Sequence, residues 1–325
     1  MSLVIDHVTK RFATLVALDD LAFDVPSGQV FGFLGANGAG KTTTMRIALG
    51  VLRPDEGRIR WDGMPTDELP RRTFGYLPEE RGLYPKMTIL DQLVYFAGLY
   101  GVPADRAARE AREWLARFRV PEFAERRAEE LSKGNQQKVQ FLAAILHDPD
   151  VLLMDEPFTG LDPVNVALLR DAFLELRDRG KTLIFSTHQM EAAEQMCESL
   201  AILDRGRVVV GGPLREVKRS TGRRMVILGI EGDHRLEWLS AVPGSRVIRP
   251  GVERSEVEID AGVEPDDLLH AALARGLRVT HFEIADPSLE QVFIDKVGRV
   301  ADDGTLLRRA GFADDSAREA EESAA

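Results

Sequence analysis

An α/β architecture with an antiparallel β subdomain, a helical insertion and a small α+β domain near the C-terminus is the fold this 325-residue sequence predicts. Three patterns carry the prediction. Short, continuously apolar segments at 29–34, 151–154 and 181–186 read as strands of a parallel sheet buried on both faces, with helices between them. Alternating segments at 3–8 and 58–62, the second closed by Asp62-Gly63, read as half-buried antiparallel strands. After Gly212-Pro213 the order changes: strand 225–230, helix 234–241, strand 245–249, strand 256–259, helix 265–275, strand 278–284 and a final helix 288–297. That βαββαβ succession is the signature of a ferredoxin-like domain. The insertion is placed at about 86–146, because 104–119 combines high helix propensity with Trp114, Leu115 and Phe118 on one side among many charges.

Length and composition bound the function. An apolar fraction of 44% with 29% charged residues is that of a globular chain able to bury a core, and the length suits about two domains. Even the greasy 89–102 segment is interrupted by Asp91 and Gln92, well short of the roughly 18–20 apolar residues of a membrane span. The amphipathic start, with no basic region ahead of an apolar core, argues against export. The single cysteine, Cys197, excludes an internal disulfide or a thiolate metal cluster and fits a reducing cytoplasm. A net charge of −11 disfavours bulk nucleic-acid binding. The segment 299–325, rich in acids and ending in an Ala/Glu/Ser run, is expected to be a disordered tail.

Two motifs then specify chemistry. Gly35-Ala36-Asn37-Gly38-Ala39-Gly40-Lys41-Thr42 matches G-x-x-x-x-G-K-[ST] between the 30–34 strand and a helical stretch opening at Thr43. Its glycines let successive N–H groups face phosphates, Lys41 would neutralise β/γ oxygens, and the Thr42 hydroxyl would hold Mg²⁺. The second motif is Asp155-Glu156-Pro157, at the C-terminal end of an apolar strand where ligands of open parallel sheets collect. Neighbouring strand residues face opposite ways, so Asp155 is assigned to Mg²⁺ and Glu156 to the attacking water. The fold is therefore read as a P-loop NTPase.

Further motifs narrow the reading. Leu131-Ser132-Lys133-Gly134-Asn135-Gln136-Gln137 resembles the Leu-Ser-Gly-Gly-Gln signature of ABC-type ATPases; Gly160-Leu161-Asp162-Pro163 resembles their D-loop, and Ser186-Thr187-His188 their switch histidine. The resemblance covers about 2–218, a complete ATP-binding domain, followed by an accessory domain at 219–298. It implies an ATPase in which Ser132 and Gly134 serve the nucleotide held by a second subunit, so that two chains sandwich two ATP molecules. It further implies that His188 meets the γ-phosphate, Asp162 links the two sites, and Phe12 stacks on adenine. Mg²⁺ and a separate integral-membrane transporter subunit are implied too, with the chain cytoplasmic and peripheral on the inner face of the cell membrane.

Two departures from the family pattern stand out. Lys133 and Asn135 replace a glycine and the glutamine of the signature, and Glu79 stands where relatives carry the Q-loop glutamine, as a further candidate Mg²⁺ ligand. Glu79 with Gly82-Leu-Tyr-Pro85, the altered signature and Pro287-Ser-Leu-Glu-Gln-Val-Phe293 together resemble an exporter branch that includes sodium- and drug-efflux ATPases. The rival reading is a soluble ABC ATPase acting on nucleic acid or ribosomes. It is disfavoured by the single phosphate loop, the short insertion and the acidic balance. Ligand sensing by the C-terminal domain is a third reading, set against an ordinary core for its apolar strands.

Overall fold

The computed structural model describes residues 2–80, 82–260, 262–300 and 306–307. In chain order, β1 (Ser2–Phe12) and β2 (Leu15–Pro26) form a hairpin, β3 (Val30–Leu34) leads into α1 (Lys41–Ala48), and β4 (Glu56–Trp61), β5 (Met64–Pro65) and β6 (Phe74–Leu77) follow. Next come α2 (Ile89–Leu99), α3 (Ala104–Arg117) and α4 (Lys133–Ile145). Then β7 (Val151–Asp155), α5 (Pro163–Asp178), β8 (Thr182–Thr187), α6 (Met190–Met196), β9 (Ser199–Asp204) and β10 (Arg207–Pro213) complete the larger unit. The described residues divide into two compact units, one built on 1–212 and the other on 213–298.

The larger unit holds two sheets. The first has the order β2-β1-β4-β5, antiparallel, and buries Leu3, Ile5, Val8, Leu18, Leu21, Ile59 and Trp61 on one face. The second is six-stranded in the order β10-β9-β3-β8-β7-β6, with β3, β6, β7, β8 and β9 running parallel. Every residue of β3, β7 and β8 is buried, as continuous apolar runs require. Met45, Ile47 and Ala48 of α1 share one core with both sheets. The parallel strands end together, which brings the loops after β3, β6, β7 and β8 to one edge, the usual ligand edge of such sheets.

The helical insertion packs through Ala107, Ala111 and Leu115 of α3 and Ile89, Leu93 and Ala97 of α2. Apolar residues recurring at every fourth position form the packed stripe of each helix, while the opposite face of α3 keeps its charges in water. Gly75 in β6 is set by close approach, since a side chain there would collide with the Ala144 carbonyl of α4.

The smaller unit runs α7 (Leu214–Arg219), β11 (Arg224–Ile230), β12 (Ser245–Arg249), β13 (Ser255–Ile259), α8 (Pro265–Ala274), β14 (Val279–Ala285) and α9 (Leu289–Lys296). Its sheet order, β12-β13-β11-β14, places the first and third strands centrally, as in a ferredoxin-like fold. Val226, Leu228, Val257, Ile259, Leu268 and Ala272 form its core, with Val279 and Phe282 against it. The helix expected at 234–241 is only a 3₁₀ turn, Glu237–Ala241. Asp233 accepts the N–H groups of Arg235 and Leu236, and Leu236 turns left-handed at φ 51°, so a local side-chain turn replaces the first helical turn.

Past α9, β15 (Arg299–Val300) pairs with β16 (Leu306–Leu307); the rest of the expected tail lies outside the described residues. Among the described residues no helix is long and apolar enough to cross a membrane.

Candidate active site

The loop after β3 turns into α1 at Gly40, whose φ of 106° is left-handed and whose position is crowded by Leu18 and the Ala17 carbonyl, so only glycine fits. The helix begins at Lys41 itself, so the lysine and the N-terminal amides of α1 share one concavity. Lys41 is 6% exposed and its ammonium donates to the carbonyls of Gly35 at 2.7 Å and Ala36 at 3.1 Å. Burial pulls its pKa below the ordinary lysine value, while the carboxylates of Glu156, Asp155 and Glu79 act in the opposite direction.

Two hydroxyls hold the buried acid. Thr42 Oγ1 donates to Asp155 Oδ2 at 2.6 Å, and Ser186 Oγ, from the neighbouring strand β8, donates to Asp155 Oδ1. Asp155 is 1% exposed, so both oxygens are fixed in direction.

Glu156 departs from the strand alternation expected of it. The strand ends at Asp155, and Glu156 takes a left-handed φ of 49°, held there because its N–H donates to Ser186 Oγ at 3.0 Å. A non-glycine residue in that region stores strain, which functional sites commonly do. Its carboxylate is turned by this kink, not by pleat geometry, toward His188 Nδ1 at 2.8 Å and the Thr159 hydroxyl at 3.3 Å. Facing a carboxylate, Nδ1 carries the proton, which leaves Nε2 of this half-exposed ring as the nitrogen available to a ligand.

Ser132 caps α4, accepting the N–H of Asn135 at 3.4 Å, so the replaced signature glutamine contributes a backbone group to the cap. Gly134, in the first turn, lies against Leu161 and Gly160. Gln137 is buried and donates to the Pro157 carbonyl at 3.2 Å, tying the same helix to the turn after Glu156. Asp162 caps α5, accepting from the Asn165 backbone at 3.0 Å and from its amide at 2.6 Å; those donors hold its carboxyl below the usual range.

A buried lysine at a helix N-terminus, a hydroxyl-bridged aspartate and a kinked glutamate paired with a histidine form a phosphoryl-transfer constellation. The comparisons agree. Residues 18–159 match the ABC transporter family model, and residues 212–297 match the ATP-binding protein DrrA1-3-like, C-terminal domain. The chain is 47% identical over 298 residues to the uncharacterized ABC transporter ATP-binding protein YhaQ of Bacillus subtilis, covering 92% of this chain and 99% of that one. This chain belongs to the ABC transporter ATP-binding proteins. It is also 34% identical to the Nod factor export ATP-binding protein I of Mesorhizobium japonicum, over 90% of this chain and 85% of that one. A solved ATP-binding subunit of an ABC transporter superposes with a TM-score of 0.64 at 32% identity, covering 68% of this chain and 94% of the other.

Membership of this ATP-binding family makes the chain an ATPase, and the remaining positions can be weighed in that light. Phe12 is 45% exposed, with the Lys10 ammonium 5.6 Å from its ring, so it is no core residue. Its hairpin leads into Ala17, which lies against Gly40. Mg²⁺ demands hard oxygen donors and keeps waters and phosphate oxygens for its remaining positions, and Thr42 with Asp155 supplies that kind of partial set. Among the described residues no three His, Cys, Asp or Glu side chains cluster as a complete metal cage, and Glu79 stands as an exposed carboxylate beyond β6.

Ser186 is the residue whose part in the ABC ATPase site sequence reading missed. It bonds both acids, and a polar residue closing a fully apolar strand was the available signal.

Proposed function

We propose that this chain is the motor subunit of an export system, binding Mg²⁺-ATP at the edge of its parallel sheet and hydrolysing it between two chains. The observation that carries the reading is the Glu156 carboxylate, buried to 7% exposure and pinned by His188 and Thr159 beside the Thr42–Asp155 pair. In this reading the Gly35 to Thr43 loop and the N-terminus of α1 receive the phosphates. Lys41 exchanges two carbonyl partners for phosphate oxygens, which restores the charge that burial disfavours. Thr42 and Asp155 would hold Mg²⁺, whose charge offsets that of the β and γ oxygens. Glu156 accepts a hydrogen bond from the attacking water, and His188 fixes Glu156 through Nδ1 while presenting its other edge to the terminal phosphate. In this reading Ser132 and the first-turn amides of α4 serve the nucleotide of a second chain, with Asp162 at the junction. Phe12 stacks on adenine.

The family's membrane partner has a surface suited to it. Tyr84, Tyr95 and Phe96 form a cluster with ring centroids 5.7–6.0 Å apart, and Tyr84 and Tyr95 are nearly half exposed. With Leu99 at 64% exposure this is an apolar patch on the insertion, of the kind that marks an interaction site. Relatives named for Nod factor export support export as the direction.

Glu156→Gln tests the reading. The variant is expected to bind ATP as the parent does and to lose about 10²–10⁴-fold in kcat, read by phosphate release. Hydrolysis at the parental rate would remove Glu156 from the reaction.

A further inference from the structure

Two buried glutamines hold the segment that follows β6. Gln92 of α2, 0% exposed, is fully used: its oxygen accepts the Tyr84 N–H at 3.2 Å, and its amide faces the carbonyls of Met87 and Thr88 at 3.4 Å. Gln140 of α4, 5% exposed, is used on one side only. Its Nε2 donates to the Glu80 carbonyl at 3.1 Å, and its Oε1 is buried with no partner. The Glu80 carbonyl can only accept, so the amide orientation is fixed and the unpaired atom is the oxygen.

Gln140 keeps one bond to the Glu80 carbonyl while its own acceptor stays stranded, so its effect on stability is mixed, and an apolar side chain of the same length would avoid the stranded atom only by giving up that bond. The bond it makes lands one residue after Glu79, and it comes from a helix otherwise locked to β6. His147, two residues beyond α4, bonds the Phe74 carbonyl at 3.0 Å, and Gly75 lies against Ala144. The helix therefore has one register on the strand, and Gln140 extends that register to the exposed carboxylate segment. The N-terminus of this same helix carries Ser132 and Gly134, with Gln137 tied to Pro157.

We propose that Gln140 is a positioning residue: through the Glu80 carbonyl it sets where the Glu79 carboxylate stands relative to Thr42 and Asp155. Signature helix and Glu79 segment thereby move as one. The inference rests on taking Glu79, whose charge acts on the Lys41 ammonium, as the further candidate Mg²⁺ ligand.

A double-mutant cycle on the full chain tests it, with Gln140→Met, Glu79→Ala and their combination, read as kcat, KM for Mg²⁺-ATP and melting temperature. Gln140→Met removes a stranded acceptor together with one hydrogen bond to the carbonyl of the exposed residue Glu80, so it should melt near the parental temperature. It should lose about tenfold in kcat with KM changed less than about twofold. In the Glu79→Ala background the same change should cost less than about twofold, since both act through one carboxylate. Parental kcat in Gln140→Met, or a full tenfold loss in the Glu79→Ala background, overturns the proposal while leaving Glu79 in place. Parental activity in Glu79→Ala defeats the Glu79 reading itself and the proposal with it. A lower melting temperature with unchanged kcat would reduce Gln140 to a packing role.

Discussion

At the scale of single residues, the site is organised by one hydroxyl. Ser186 Oγ donates to Asp155 and accepts the Glu156 N–H, so it fixes the direction of one acid and the backbone kink of the other. Ser186→Ala would take the hydroxyl from a buried Asp155 oxygen and leave the Glu156 N–H with only the Ser186 carbonyl, which costs about 1–3 kcal/mol by loss of buried hydrogen bonds. Denaturant unfolding should show that loss, together with reduced turnover. Replacement by threonine keeps the hydroxyl but adds a methyl group at a fully buried position, so it should recover part of both at most. A second residue-scale consequence concerns pH. Burial lowers the His147 pKa below 6.5, against the opposing pull of the Phe74 carbonyl. The folded state therefore binds this proton more weakly than the unfolded chain does. Stability from this group is full above pH 6.5 and declines as pH falls from there toward the folded-state value. Unfolding measured from pH 8 to pH 5 should show a decline that flattens in His147→Gln; an identical profile in that variant would assign the acid sensitivity elsewhere.

At the scale of elements, the register of α4 on β6 depends on Gly75. Gly75→Ala places a methyl group into the Ala144 carbonyl, and overpacking of this kind costs about 1–3 kcal/mol. The melting temperature should fall, while Gly98→Ala in α2, which meets open space and gains helix propensity, should leave it unchanged or raised. The same elements show what was legible beforehand. β3, β7 and β8 were readable because strands buried on both faces are written as unbroken apolar runs, and the phosphate loop because its spacing is imposed by backbone geometry. The Glu156 kink was not, since alternation along a strand assumes extended backbone and the bond that breaks it comes from Ser186, thirty residues away. Nor was the loss of the first C-terminal helix, decided by a turn at Asp233 that competes with helix initiation. The roles of Gln137 and Gln140 were equally hidden, because their partners, Pro157 and Glu80, lie on other segments.

At the scale of the whole molecule, the chain presents a half-built site twice over. Lys41, Thr42, Asp155, Glu156 and His188 gather at one edge of the sheet, while Ser132 at the cap of α4 bonds the N–H groups of Asn135 and Gln136 in its own helix. In the head-to-tail pair of chains proposed above, both halves would be completed, each site drawing Glu156 from one chain and Ser132 from the other. That arrangement can be tested without a membrane partner, by mixing two variants that are each inactive alone, Glu156→Gln and Ser132→Arg. A mixed pair concentrates both defects in one site and leaves the other intact. Equal mixing should therefore restore ATP hydrolysis to about a quarter of the parental rate, the share of intact sites in a random population of symmetric pairs. A mixture that stays as inactive as its components would contradict the account, because turnover would then not be built from two chains.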